Sequence, residues 1–331
     1  MKFYYSHGRT AFKYGLKYLG VKKNDHILIP EYLCEILLDP LNNLNIKPVF
    51  YKIKNDFSVD YQDIKKKYNK KVKALLIINF FGFEEEKKKY SNFCKKKKIF
   101  FIEDNCHALK NSQLNRKYLP DIVFYSVHKL IKKIYSGGVL EIFNKKGNMK
   151  NLKQELTTYN ISFKEYIKNF FENNLSKFKF HLKTFFFKIP NYNKIDGIKN
   201  KKIFGDYSID KHSLKILKTI NHNKIQKQRL QNYKKWTKFC KKNKNLFFIN
   251  RTLKKNTTPW LLPIFVKNKV LRKKLFKYGW ENGYSITSWP SLPKKQINKR
   301  TKKIWDQLIC FNTDKAPSDN QIQINNKFNN I

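Results

Sequence analysis

The chain has 331 residues, enough for one large domain or for a large and a small one. Its apolar fraction of 41%, with 28 Phe and 19 Tyr, supplies a packed core and excludes a disordered chain. No run of about 18 apolar residues occurs, which excludes a spanning helix. The net charge of +47 invites a polyanion partner, yet only six of the 71 cations are arginine. Nucleic-acid surfaces favour Arg for bidentate phosphate and base contacts. Here Asn, Ile, Lys, Phe and Tyr are all abundant, as an AT-rich coding sequence supplies, and the lysines sit in many short clusters. The charge therefore reads as compositional, without a specific nucleic-acid partner, while its field still attracts acidic small molecules.

Five cysteines without a CxxC pair suit reduced thiols, not a disulfide frame or a zinc site. The opening "MKFYYSHGRTAF" lacks the apolar core of a signal peptide, so the expected location is cytoplasmic.

In chain order, "GRTAFKYGLKYLG" has helical apolar spacing and stops on Gly20. "HILIP" predicts a strand, "EYLCEILLDPL" a helix, "KPVFYKI" a strand and "VDYQDIKKKY" a helix. "VKALLIINFFG" and "IFFIED" read as buried strands separated by the polar helix "EEEKKKYSNFCKKKK", and "DIVFYS" and "GVLEIF" follow as two more. Short apolar runs alternating with helices imply parallel strands with crossovers, an α/β domain over roughly residues 1–145. The aromatic, basic stretch "FKEYIKNFFENNLSKFKFHLKTFFFK" is expected to serve core packing or a subunit contact. "LKILKTINHNKIQKQRLQNYKKWTKFCKK" reads as one long helical stretch. "WLLPIFV", "LRKKLFKYGWENG" and "RTKKIWDQLICF" predict a small C-terminal α/β unit. The expected division is a large domain over 1–205, then a connecting helix and small domain over 206–331.

Open parallel sheets bind ligands at the carboxyl ends of their strands. Three such places carry chemistry. "IFFIEDNCHAL" puts Asp104 directly after a buried strand with His107 three residues later, although Asp104 alone could be a helix cap. "DIVFYSVHKLIKKIYSGGVL" delivers Ser126, His128 and Lys129 to the same rim, ahead of Gly137 and Gly138. A lysine on a buried rim, flanked by Lys132 and Lys133, is suited to attack a carbonyl, but it could also be a solvated loop residue. In "SHGRTAF", the free N–H groups of a helix beginning at Gly8, with Arg9 and Thr10, offer a phosphate cradle or an ordinary helix cap. Taken together they ask for an aldehyde, a ring nitrogen and a phosphate, and pyridoxal 5′-phosphate has all three.

The ordered set "HGRTAFKYGLKYLGV", "HILIPEYLC", "KALLIINFFG", "FIEDNCHA" and "DIVFYSVHKL…SGGVLEI" resembles the DegT/DnrJ/EryC1/StrS family of sugar aminotransferases. Weaker likeness continues in "YSIDKHSLKIL…RLQNY" and "YGWENGYSITSWPSLP". The resemblance implies fold type I: a large domain with a mostly parallel sheet flanked by helices, plus a small C-terminal α/β domain. It implies an aminotransferase that moves an amino group from an amino acid to a keto sugar, nucleotide-linked, for polysaccharide or amino-sugar biosynthesis. It implies that Asp104 pairs with the pyridine nitrogen and that His107 sits by the ring and its phenolic oxygen. Ser126 and Gly8–Thr10 hold the phosphate, Lys129 takes the aldehyde, and the protein is a homodimer. The family's more usual lysine position is Ile131 here, so Lys129 is chosen, with Lys132 as the fallback. The usual stacking aromatic is replaced by Cys34, and Tyr32 is the substitute. A Gly-x-Asn-x-Arg element is not legible around Ile203–Asp210, and Arg9 could compensate for it. The alternatives are a cofactor-dependent sugar dehydratase using His128, an inactive relative, and a polyanion-binding protein.

Overall fold

The structure is a computed structural model that describes residues 1–109, 116–152, 156–163, 165–167, 205–254, 257–284, 286–317 and 328. Most of the aromatic Phe163–Phe187 stretch, and residues 203–204 of the Ile203–Asp210 region, lie outside the described residues.

The N-terminal half forms a seven-stranded sheet. Its elements are β1 (Lys2–Tyr5), α1 (Gly8–Leu19), β2 (His26–Pro30), α2 (Asp39–Asn43), β3 (Lys47–Tyr51), α3 (Tyr61–Lys67), β4 (Val72–Ile78), α4 (Lys87–Lys97), β5 (Phe100–Asp104), β6 (Ile122–Ser126) and β7 (Gly138–Ile142). The spatial order is β1-β7-β6-β5-β4-β2-β3. Strands β3, β2, β4, β5 and β6 are mutually parallel, and the apolar runs of β2, β4, β5 and β6 are buried as expected of strands covered on both faces, while the edge strand β3 is mostly half-buried. Strand β7 is antiparallel to both of its neighbours, so the sheet is mostly parallel, as expected. The eleven residues between β6 and β7 hold only a 3-10 turn, too little chain for a helical crossover. Because β1 is antiparallel to β7, it runs with the majority and its carboxyl end reaches the common rim. This short strand was not foreseen in the sequence.

Helix α1 presents its apolar side to β6 and β7. Gly15 permits that contact, since a Cβ there would lie 2.5 Å from Ile122 Cδ1. Phe12 stacks on Phe124 at 4.8 Å between ring centroids, and each buried ring contributes about 2 kcal/mol through lost water contact. The helix stops at Gly20, whose φ of 73° is left-handed backbone that glycine adopts without strain. The expected helix over "EYLCEILLDPL" is instead a 3-10 turn (Glu35–Leu38) followed by the five-residue α2. Pro40 explains the difference. It lacks an N–H and is tolerated in the first turn, so the helix begins at Asp39.

The C-terminal part contains α5 (Lys211–Thr219), α6 (His222–Cys240), β8 (Leu246–Phe248), β9 (Leu261–Val266), α7 (Lys269–Glu281), β10 (Ile286–Thr287), α8 (Lys299–Gln307) and β11 (Leu308–Asn312). The single long helix expected here is two. Ile220 is extended, and the Asn221 side chain accepts from Lys224 N–H to cap a new start. Strands β10-β11-β9-β8 form a second, antiparallel sheet. Its core includes Trp236, Phe239, Leu275, Phe276, Tyr284 and Phe311. A third cluster, around Leu130, Ile131 and Ile134, packs against Ile216, Leu217, Ile225 and Trp260. The second unit thus sits directly against the turn that follows β6.

Candidate active site

Carboxyl ends of β1, β4, β5 and β6 meet at one rim. Register carries Ile78 beside Asp104 and Asp104 beside Phe124, while Ser126 and Tyr5 both face Gly138. Strand alternation then separates two adjacent carboxylates. Glu103 turns to Asn79 Nδ2 at 2.6 Å and to Lys87 Nζ at 3.0 Å, a structural pair. Asp104 turns to the other face, where Lys129 lies.

The Asp104 carboxyl is buried, and Oδ1 accepts from the backbone N–H of Cys106 at 2.8 Å. Burial raises its pKa, opposed by the positive charge of Lys129 and by the Cys106 bonds. His107 is buried too, and Nδ1 accepts from the Phe81 N–H at 3.1 Å. Burial, then the Lys129 charge, holds this imidazole well below its ordinary pKa. A neutral ring that accepts at Nδ1 carries its proton on Nε2. Its faces and edges meet Phe81 at 5.9 Å, Trp260 at 4.4 Å and Trp289 at 4.9 Å between centroids.

Lys129 ends the 3-10 turn Val127–Lys129 after β6, and its Nζ lies 4.7 Å from the centroid of the Trp260 ring. Its charge reaches Asp104, Cys106 and His107. The fallback Lys132 points elsewhere: it pairs with Asp314 and its side chain is 43% exposed. Lys133 is exposed. The flanking cations expected beside Lys129 are therefore not those lysines.

His128, on the opposite side of the turn, has its ring 6.0 Å from His7 and Nδ1 3.4 Å from Ser126 Oγ. Burial, then His7, Lys129 and Arg9, lowers its pKa to about 3. His7 falls to about 4, by burial and then by Arg9, against the pull of Glu165. His7 is the residue before α1 and offers no side-chain cap. Gly8 is close-packed: a Cβ there would lie 3.0 Å from Cys106 Sγ and 3.1 Å from Ser126 Cβ. The first turn of α1, with Gly8, Arg9 and buried Thr10, thus abuts Ser126 in a field set by His7, Arg9 and His128. Such a helix end receives anions. Gly138 is obligatory behind it, because a Cβ there would meet the His7 carbonyl oxygen at 2.0 Å.

Tyr32 lies in the core, its hydroxyl donating to the Trp289 carbonyl at 3.0 Å and its ring against Phe57 and Trp289. It is one ring removed from His107. Cys34 is half-buried and acts electrostatically on both Arg9 and Cys106, so that position does border the site.

The donor set fits pyridoxal phosphate: a buried carboxylate for a ring nitrogen, an amine for an aldehyde, and a helix end for a phosphate. Trp260, Trp289 and Phe81 complete the wall, and sequence reasoning missed all three. Their only signal was aromatic residues beside "WLLPIFV", "SWPSLP" and "NFFG". Among the described residues, no cluster of His, Cys, Asp and Glu could hold a metal ion. No described helix is long and apolar enough to cross a membrane.

The chain is similar to known proteins in part of its sequence and in its fold. Residues 5–130 match the profile of the DegT/DnrJ/EryC1/StrS aminotransferase family. A GDP-perosamine synthase of Vibrio cholerae is 24% identical over 113 residues, 34% of this chain and 31% of that protein. A UDP-4-amino-4,6-dideoxy-N-acetyl-beta-L-altrosamine transaminase of Helicobacter pylori is 34% identical over 70 residues, 21% of this chain and 19% of that one. The matched stretches therefore span about a third or less of those relatives' lengths. Among solved structures, NtdA from Bacillus subtilis with bound cofactor PMP superposes with a TM-score of 0.63 at 15% identity. That superposition covers 98% of this chain and 71% of the other, so the likeness in fold extends through both sheets. Residues 5–130, which contain Asp104, His107, Ser126 and Lys129, are thus similar to the DegT/DnrJ/EryC1/StrS aminotransferase family.

Proposed function

We propose that this protein is a pyridoxal-phosphate-dependent aminotransferase that transfers an amino group from an amino acid to a nucleotide-linked keto sugar. The observation that carries this reading is the meeting of Lys129, Asp104 and His107 at one rim, beside the Ser126–Gly8 helix end. When bound, the cofactor supplies an electron sink that lets the carbon bearing the amino group lose a proton. Lys129 would hold the aldehyde, and its amine would serve to carry that proton. Asp104 keeps a proton on the ring nitrogen. The buried carboxylate favours a cationic partner there, because burial alone disfavours its charge. His107, locked by Phe81 N–H, has its Nε2–H available for the phenolic oxygen. Ser126 and the Gly8–Thr10 N–H groups receive the phosphate. His128 faces His7 and Ser126, which favours a place near the phosphate over the part of a catalytic base.

The reading extends to architecture. Residues 1–205 hold the cofactor and 206–331 close over it, in a cytoplasmic homodimer. Support for a subunit contact comes from Phe163, 78% exposed, and Tyr166, 54% exposed, at the start of the aromatic stretch. The excess of positive charge suits a nucleoside diphosphate group on the substrate.

The direct test is spectroscopic. Protein mixed with pyridoxal phosphate should gain an absorbance band of a protonated imine, which borohydride removes. Adding an amino acid should convert the band to that of the aminated cofactor. Absence of both changes would sink the reading.

Arg9 gives a second test. Its charge acts at His7 and His128, beside the phosphate position. Arg9→Ala is expected to weaken cofactor binding by about 10- to 100-fold, the loss of one charge-assisted contact. The variant should remain dimeric by sedimentation. Unchanged affinity would move the phosphate away from this helix end.

A further inference from the structure

Helix α6, beyond the residues 5–130 that match the family profile, buries an arginine. Arg229 is 4% exposed, and the acid whose field reaches it, Asp314, is itself paired with Lys132. Its hydrogen bonds go to neutral oxygens. Nε and Nη2 both donate to the Leu130 carbonyl, at 3.2 and 2.8 Å. Nη1 donates to Thr313 Oγ1 at 3.0 Å and to the Trp260 carbonyl at 3.4 Å. Leu130 is the residue after Lys129, and Trp260 is the ring beneath the Lys129 ammonium. Thr313 Oγ1 donates in turn to the carbonyls of Pro259 and Trp260, at 2.7 and 2.9 Å. One planar fork therefore holds the lysine turn and the start of β9 together.

Burying a guanidinium among neutral oxygens is a poor way to gain stability, since an apolar residue of the same volume packs without desolvation. What the arginine adds is geometry. Its donors point in fixed directions in one plane, which a lysine on a flexible stem cannot reproduce. We propose that Arg229 is a positioning residue for the lysine of the active site. By gripping Leu130 and Trp260 at once, it makes the placement of Lys129 depend on the docking of the second sheet. This rests on the reading of Lys129 as the residue that takes the cofactor aldehyde, yet the grip itself can be tested without cofactor.

The variants are Arg229→Met, which keeps volume, and Arg229→Lys, which keeps charge. Asn232→Ala is the control. Asn232 lies on the same helix and donates to the Thr313 carbonyl at 2.9 Å, so its loss loosens α6 while sparing the Leu130 contact. In cofactor-free protein, both Arg229 variants should exchange the amide hydrogens of Leu130 and Ile131 at least about tenfold faster, while strand β5 is unchanged. Those two amides donate to the Val127 carbonyl and define the turn. With pyridoxal phosphate, both variants should form the borohydride-sensitive imine at least about tenfold more slowly and lose kcat by a similar factor, with KM for the amino donor little changed. Asn232→Ala should lower the melting temperature without these effects. Unaltered exchange in the turn overturns the proposal whatever the cofactor does. A lower melting temperature with normal imine formation and kcat also overturns it, and leaves Arg229 a packing residue. If the unmodified protein forms no imine, the functional reading fails, and the exchange experiment still decides whether the grip exists.

Discussion

Lys129→Ala is expected to abolish the imine absorbance and to lower turnover by at least about 1000-fold, the scale of losing a positioned acid–base group. The variant should fold, because the side chain sits at the rim and the turn is held by backbone bonds at Val127, Leu130 and Ile131. Peptide mass spectrometry after borohydride reduction of the unmodified protein should find the pyridoxyl group on Lys129. Two other lysines compete in sequence but not in space. Lys132 is drawn to Asp314 by an ion pair, and Lys133 faces solvent. Of these three lysines, only Lys129 shares a field with Asp104 and His107. A pyridoxyl group on Lys132 would require that ion pair to break and the turn to rotate. Finding it there would remove the assignment made from this geometry.

The contrast between these lysines shows what the sequence could convey. Asp104 and Lys129 were legible because each follows a run of buried β-branched and aromatic residues, and strand ends of a parallel sheet share one rim. The pleat then turns Glu103 towards α4 and leaves Asp104 on the other face. Antiparallel β7 was hidden because an apolar strand has the same composition in either direction; only the length of its connection marks it. Arg229 was invisible for a different reason. Its partner Leu130 is 99 residues away, and one more cation in a helix rich in Lys and Gln carries no local mark of burial. Trp260 and Trp289 likewise reach His107 only through packing between the two sheets. Tyr32 shows the converse failure. An aromatic near a strand end was a reasonable partner for a ring, yet its hydroxyl found the Trp289 carbonyl and drew it into the core.

Asp104→Asn separates binding from chemistry and has a signature in the cofactor-free protein as well. With cofactor, the amide should still accept from Cys106 N–H, so the ring should bind and absorb. It cannot balance a protonated ring nitrogen. Losing the buried charge partner costs about 2–5 kcal/mol, or roughly 30- to 5000-fold in turnover. Without cofactor the sign reverses. Burial raises the Asp104 pKa above its ordinary 3.8, and this outweighs the help from Lys129. The folded protein then holds a proton that the unfolded chain has already released, so this group lowers stability progressively as pH rises above about 4. An asparagine does not titrate. Cofactor-free Asp104→Asn should therefore melt higher than the unmodified protein at neutral pH, and the gap should shrink as pH falls towards 4. Saturating pyridoxal phosphate should narrow or invert the gap, because only the carboxylate gains a cationic partner. Thermal melts at several pH values, with and without cofactor, measure all of this. Near-normal turnover together with a pH-independent gap would reduce Asp104 to a cap for the Cys106 amide.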